Sequence, residues 1–275
     1  MTERVQWLKS QSETPAPTGP AAIDDPLALR RKLPPVRMLP NTWVLKIGGQ
    51  SIMDRGRDAV QPILEQLIEA RKRGINFILG VGGGTRARHV YSLGLDLDLP
   101  TAVLARLGAA VPVQNARMLH MLLAEHGGIM CYVDHFELLP MFLNSGSIPI
   151  VPGMPTFEYW EKSPESGRIP PHRTDAGVYL LGEFLGCRGV LFIKDEDGLY
   201  TDDPKKNPDA EFVPEITAGE LLASGQDELI VERVVLEYMQ RAAQVREIRF
   251  INGLKEGAVL DALEGGTGGS VIRAD

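Results

Sequence analysis

Three short segments carry residue types suited to phosphate chemistry: Lys46-Ile-Gly-Gly49, Gly80-Val-Gly-Gly-Gly-Thr85 and Lys194-Asp-Glu-Asp-Gly-Leu-Tyr-Thr-Asp-Asp-Pro204. Each follows an apolar, strand-like run. A polyphosphate carries several negative charges, so its site needs close backbone approach, free N–H donors and at least one lysine or arginine. The first two segments offer glycine turns, Lys46 and Lys194 offer cations, and the third adds an acidic turn with an aromatic wall at Tyr200. Taken singly, a glycine run after a strand is equally a tight turn into a helix. Together the segments read as the parts of one nucleotide site.

These parts need elements to hold them. Apolar, strand-like runs recur at 43–47, 76–81, 129–133, 148–151, 190–193, 248–251 and 270–272. Helical patterns lie between most of them, at 57–73, 86–94, 115–126, 136–144, 174–185, 232–244 and 258–263, with a break at Pro100. The alternation predicts an α/β fold with a mostly parallel sheet covered on both faces. Ligands of such sheets bind at the carboxyl ends of the strands, where the glycine turns fall. Thr174 is placed to cap the helix that carries Asp175, and Thr217-Ala-Gly-Glu220 has the spacing of a capping box. The proline-rich stretch 152–171, with Tyr159, Trp160 and Arg168, is a candidate lid or interface element, or else a surface excursion.

Composition narrows the partners. A chain of 275 residues with 44% hydrophobic content can bury a substantial core. Its formal charge of −7 argues against nucleic acid as the main partner, so an anionic ligand must be held by a local field. There is no uninterrupted apolar run long enough to cross a membrane and no basic-then-apolar leader at the start, which predicts a cytoplasmic chain with no membrane partner. Cys131 and Cys187 lack the spacing of a metal knuckle or redox pair and read as core thiols. Residues 1–35 are rich in proline and polar residues and read as a flexible arm that packs on a neighbouring subunit, leaving 36–275 as one nucleotide-binding domain.

Two familiar motifs are absent: the dinucleotide pattern G-x-G-x-x-G is missed at Thr85, and no G-x-x-x-x-G-K-[ST] occurs. The order that remains is a lysine-glycine turn, a glycine triplet before a helix, Thr174-Asp175 before a helix, the 194–204 segment, and Asn252-Gly-Leu followed by Gly-Gly-Ser270-Val-Ile. This order resembles the amino-acid kinase family, most closely its uridylate-kinase-like branch, from Val44 to Ile272. The resemblance implies a three-layer sandwich around a mainly parallel central sheet of about eight strands, with ATP and Mg²⁺ in a cleft on one side.

Further segments are similar to the molybdenum-storing members of that family, and more to their beta type: 46–57, 84–89, 93–100, Gln114-Asn115, Ile169-Pro-Pro-His-Arg-Thr-Asp-Ala-Gly177 and Phe192-Ile-Lys-Asp-Glu-Asp-Gly-Leu-Tyr200. This likeness implies a hexameric cage, homomeric or built with a paralogous histidine-rich subunit, that uses ATP to deposit molybdate, with tungstate as the possible substitute, as polyoxomolybdate clusters. Gly153-Met-Pro-Thr-Phe-Glu-Tyr-Trp-Glu161 departs from the pattern of the histidine-rich type and supplies no histidine run.

By resemblance, Lys46 contacts the phosphates and stabilises the transferring γ-phosphoryl, with backbone donors from Gly48, Gly49, Gly82, Gly83 and Gly84. Asp175 orients Lys46 or organises Mg²⁺, and Lys194 neutralises the β- and γ-phosphates from the far side. Asp197, Gly198, Tyr200, Asp203 and Pro204 shape the adenine-ribose pocket, although 195–197 also reads as a solvated acidic turn. His135, with Asp134, is the first choice for an oxometalate contact, its alternative being a histidine bonded to a neighbouring loop. His89 faces an anion through a helix start. Two other functions stay open: a nucleoside-monophosphate kinase acting on UMP, and a nucleotide-binding scaffold with little turnover.

Overall fold

In a computed structural model, the described residues are 36–226 and 229–275, and 37–275 form one compact unit. The proposed arm at 1–35 lies outside the described residues. The central strands are β1 (Thr42–Ile47), β2 (Asn76–Val81), β3 (Gly128–Met130), β4 (Ile148–Pro152) and β5 (Gly189–Lys194). The strands β6 (Leu199–Tyr200), β7 (Phe212–Val213), β8 (Glu215–Thr217), β9 (Glu247–Asn252) and β10 (Ser270–Arg273) follow. The helices are α1 (Arg57–Lys72), α2 (Thr85–Asp96), α3 (Thr101–Leu123), α4 (Leu139–Asn144), α5 (Thr174–Leu185), α6 (Ala218–Ala223), α7 (Arg233–Met239) and α8 (Ala258–Glu264).

Among the described residues, eight strands form one sheet in the order β3-β4-β2-β1-β5-β9-β10-β8, while β6 and β7 make a separate antiparallel pair. Neighbours from β3 to β9 run parallel, and β10 turns back antiparallel against β9. The chain leaves β1 toward β2 on one side and later returns to β5 on the other. The carboxyl end of β1 therefore sits at a switch point of the sheet, where a crevice opens.

Period-two alternation divides the core. Val44, Ile78, Val190, Phe192, Ile248 and Phe250 pack with α5 and α7 on one face. Leu45, Ile47, Phe77, Leu79, Leu191 and Ile193 pack on the other with α1, α3 and α8. The helices present matching stripes: Ala59, Val60, Ile63, Leu64, Leu67 and Ala70 line one side of α1. Lys46 points to the α5 face with Val44, since both sit at the same parity of β1.

Some expected elements changed. The helical pattern read at 115–126 is the second half of a longer helix, α3, which is continuous from Thr101 and contains Pro112. Proline removes one backbone donor and crowds the carbonyl four residues back, at Gly108. Gly108 has no Cβ and accommodates Tyr91 there, and Pro112 packs beside Gly83, so tertiary contacts stabilise a helix that propensity disfavours. The 136–144 pattern divides into a 3₁₀ turn, Val133–Leu138, and α4. The capping box at Thr217 and Glu220 forms in both directions.

Phe77 is 1% exposed beneath the α1–α3 layer, so Phe77→Ala should cost about 3–5 kcal/mol of unfolding free energy in urea titrations. A loss below about 1 kcal/mol would mean that the layer is not packed as described.

Candidate functional site

A cleft of about 1140 Å³ opens at the carboxyl ends of β1, β2 and β5. Lys46, Asp175 and Lys194 line it together with Gly48, Gly49, Gly82, Gly83, Gly84 and Asp203. Two chain turns make its floor. A Cβ on Gly49 would fall 2.1 Å from the Gly84 nitrogen, and one on Gly82 would fall 2.7 Å from the Gly49 nitrogen. Only glycine lets the β1 and β2 turns approach so closely. Asn115, fully buried on α3, fixes the second turn by donating through Nδ2 to the Gly82 carbonyl at 2.6 Å. Arg86 in turn donates to the Asn115 side-chain oxygen.

The α2 start is occupied by the protein itself. The Thr85 N–H donates to Asp54 Oδ2 at 2.6 Å, so a carboxylate from the 48–56 turn caps that helix. Beside it, Arg55 pairs with Asp195 at 2.6 Å, and Lys205 reaches Asp195 at 3.0 Å and Glu196 at 2.6 Å. The acidic turn at 195–197 is thus clamped by basic side chains.

Lys46 and Asp175, 7% and 6% exposed, form a buried ion pair between β1 and the first turn of α5. Burial alone would raise the Asp175 carboxyl. The charges of Lys46 and Lys194 and the Lys46 hydrogen bond outweigh it and hold the group at about 2. Burial pushes the Lys194 ammonium below its ordinary value, and Asp175 offsets only part of that. Lys194 donates to the Ile230 carbonyl and lies over the Phe250 ring at 5.6 Å from its centroid. An incoming anion would relieve the burial of that charge.

Glu232 was not singled out by the sequence. Its side chain is 7% exposed, and it accepts from the backbone N–H groups of Arg173 (2.9 Å), Asp175 (3.1 Å) and Ala176 (3.0 Å). This remote carboxylate caps α5, whose N-cap position falls on Arg173, with no side-chain cap bond, and not on Thr174, which is the first residue of the helix. Burial and the adjacent Asp175 push the Glu232 carboxyl upward. The only local signal was an acid at the start of a helical pattern, and that signal pointed to its own helix, α7.

The remaining candidates separate. Asp197 and Tyr200 border a second space of about 340 Å³ with Phe212, Asn252 and Lys255. Tyr200 meets Phe212 edge to face at 5.6 Å, and Asp197 pairs with Lys255 at 2.7 Å. Gly198 and Pro204 line neither space. Gly198 serves packing, since a Cβ there would lie 2.2 Å from Ser270 Oγ. His135 accepts the Tyr132 N–H at 3.1 Å through Nδ1 inside a 3₁₀ turn, next to exposed Asp134. His89 is exposed on α2. No helix among the described residues is long and apolar enough to cross a membrane.

A strand-lysine paired to a helix-start aspartate over two glycine turns, in an eight-stranded sandwich, defines a class. The family model for the amino acid kinase family matches residues 41–246, and the chain belongs to that family. Within it, the chain is 45% identical over 238 residues to the molybdenum storage protein subunit beta of Azotobacter vinelandii, covering 86% of this chain and 88% of that protein. A uridylate kinase of Metallosphaera sedula is 30% identical over 181 residues, 65% of this chain and 72% of that one. Among solved structures, the UMP kinase of Bacillus anthracis superposes with a TM-score of 0.69 at 16% identity, covering 86% of this chain and 97% of that one. The uridylate kinase of Archaeoglobus fulgidus gives 0.64 at 21% identity, covering 84% and 99%. These two superpositions confirm the sandwich fold.

The lowered Asp175 group carries a pH dependence with a definite sign. Its stabilisation is present above the ordinary value of 3.8 and is lost as pH falls toward about 2. Asp175→Asn should therefore be less stable than the parent at neutral pH, with the gap narrowing by on the order of 2 kcal/mol between pH 5 and pH 2 in urea midpoints. A gap independent of pH would show that the pair does not titrate with folding.

Proposed function

We propose that this chain is an ATP-using subunit of a molybdenum store, which helps load molybdate and hold it as polyoxomolybdate inside an oligomeric cage. The observation that carries the ATP half is the convergence of Lys46, Asp175 and Lys194 with the glycine turns in one cleft. The storage half is supported by the 45% identity over most of the chain to a protein named for molybdenum storage.

The chemistry follows from charge placement. Phosphoryl transfer asks a protein mainly for positioning and for cations where negative charge gathers. Lys46, fixed by Asp175, meets the transferring group from the glycine-turn side, and Lys194 meets the phosphates from the β5 side. Backbone N–H groups at Gly48, Gly49 and Gly82–84 supply further donors. Mg²⁺ would enter with the nucleotide phosphates and neutralise their charge, and the Asp175 carboxylate, which lines the cleft, is the proposed residue to organise it. Asp203, which lines the cleft, and Asp197 and Tyr200, which border the second space, are the proposed adenine-ribose wall, with Gly198 and Pro204 left out of it. Molybdate is a tetrahedral dianion and its condensation concentrates negative charge and consumes protons, so a cage wall needs N–H groups and imidazoles. His135, Asp134 and His89 are the proposed contributions of this chain to it. The cage is proposed as a hexamer, of this chain alone or with a histidine-rich paralogue, in the cytoplasm.

The test is native mass combined with metal analysis after incubation with Mg²⁺-ATP and molybdate, with UMP offered as acceptor in parallel. Many molybdenum atoms retained per oligomer only when ATP is present supports storage, and Lys46→Ala should cut that loading by about 100-fold or more with the fold intact. UDP formed from UMP with no metal retained moves the function to a nucleoside-monophosphate kinase. ATP binding without phosphate release moves it to a scaffold subunit.

A further inference from the structure

We infer that Glu232 is a positioning residue for the cleft, acting through Asp175 on Lys46; this rests on the reading of the cleft as a phosphate-handling site. Asp175 lies in the first turn of α5, where backbone N–H groups have no partner inside the helix and attract any nearby carboxylate. Left alone, Asp175 would turn toward those donors and away from Lys46. Glu232 removes that alternative by accepting from Arg173, Asp175 and Ala176 with its two oxygens.

The hold is reciprocal. The Glu232 N–H donates to Asp175 Oδ2 at 3.3 Å, while Asp175 Oδ1 accepts from Lys46. Both carboxylate oxygens of Asp175 are thereby assigned, and its rotation is fixed. The same segment touches the second lysine, because Lys194 donates to the carbonyl of Ile230, two residues before Glu232. A carboxylate buried beside another carboxylate is costly, and a serine, threonine or aspartate at the N-cap position, where Arg173 stands, would satisfy α5 more simply. What the remote cap adds is coupling: one stretch of chain, 230–232, sets the geometry of Lys46, Asp175 and Lys194 together. It also closes the α5 start to an incoming phosphate, leaving the glycine turns and the lysines to receive it.

The test is a double-mutant cycle on the full chain with Glu232→Gln and Asp175→Asn, read in two ways. The first is the rate of Lys46 acetylation by acetic anhydride, followed by mass spectrometry without nucleotide and normalised to exposed Lys162. The second is kcat and Kd for Mg²⁺-ATP. Glu232→Gln should raise Lys46 labelling by about 3-fold or more, and the double variant should label no faster than Asp175→Asn alone. kcat should fall by about 10-fold or more while the nucleotide Kd moves less than about 3-fold, and Glu232→Asp should recover part of the loss. Additive effects in the double variant, or a lowered Tm with Lys46 labelling unchanged, would overturn the inference. If the parent chain shows no ATP turnover, the functional reading falls, and the labelling cycle still decides the role of Glu232. Should Glu232→Gln not fold, Glu232→Asp enters the cycle instead: Lys46 labelling above the parent that disappears in the Asp175→Asn background supports the inference, and unchanged labelling overturns it.

Discussion

The buried ion pair between Lys46 and Asp175 is the constraint around which the site is organised. Moving two charges out of water costs several kcal/mol each, and the mutual attraction offsets that only with good geometry and with the remaining lone pairs satisfied. The fold meets this condition by bringing β1, the start of α5 and the 229–232 segment to one point. Phe192, paired in register with Lys46 on the neighbouring strand, lies beneath its ammonium at 6.0 Å from the ring centroid. Loss of Lys46 or Asp175 would leave the other charge buried without its partner, so β1 and α5 are coupled energetically as well as in space.

That arrangement explains how an acidic chain presents a basic cleft. The net charge of −7 is spread over the molecule, whereas Lys46, Lys194, Arg88, Arg173 and Arg233 border one opening. Several acids near them are already spoken for: Asp175 by Lys46, Asp195 by Arg55 and Lys205, and Glu232 by the α5 backbone. Glycine turns contribute N–H groups without adding bulk. The result is a local field for anions in a protein whose overall charge would repel them.

Fold and function separate here in an instructive way. The sandwich is shared with UMP kinases at 16–21% identity, so the architecture by itself describes many activities. The 45% identity to a molybdenum storage subunit extends over 86% of the chain, and it is this likeness, joined to the residues in the cleft, that directs the functional reading. Under the proposed storage function and under the kinase alternative, the task asked of the cleft is the same: hold phosphates, neutralise charge and exclude alternative geometries.

The sequence by itself determined the alternation of strands and helices, the two glycine turns, and the identities of Lys46, Asp175 and Lys194. Those features are local: a buried strand is a continuous apolar run, and a turn that must admit another backbone is written in adjacent glycines. Only the tertiary structure decided which carboxylate caps which helix. Asp54 lies 31 residues from the Thr85 N–H it accepts, and Glu232 lies 57 from that of Asp175, separations at which no periodicity survives. It also decided that α3 continues through Pro112, because the contacts of Gly83 and Gly108 that accommodate the ring and its neighbours come from packing. Propensity acts on neighbours in the chain, whereas capping, burial and charge pairing act on neighbours in space, and the second set is fixed only when the sheet has assembled.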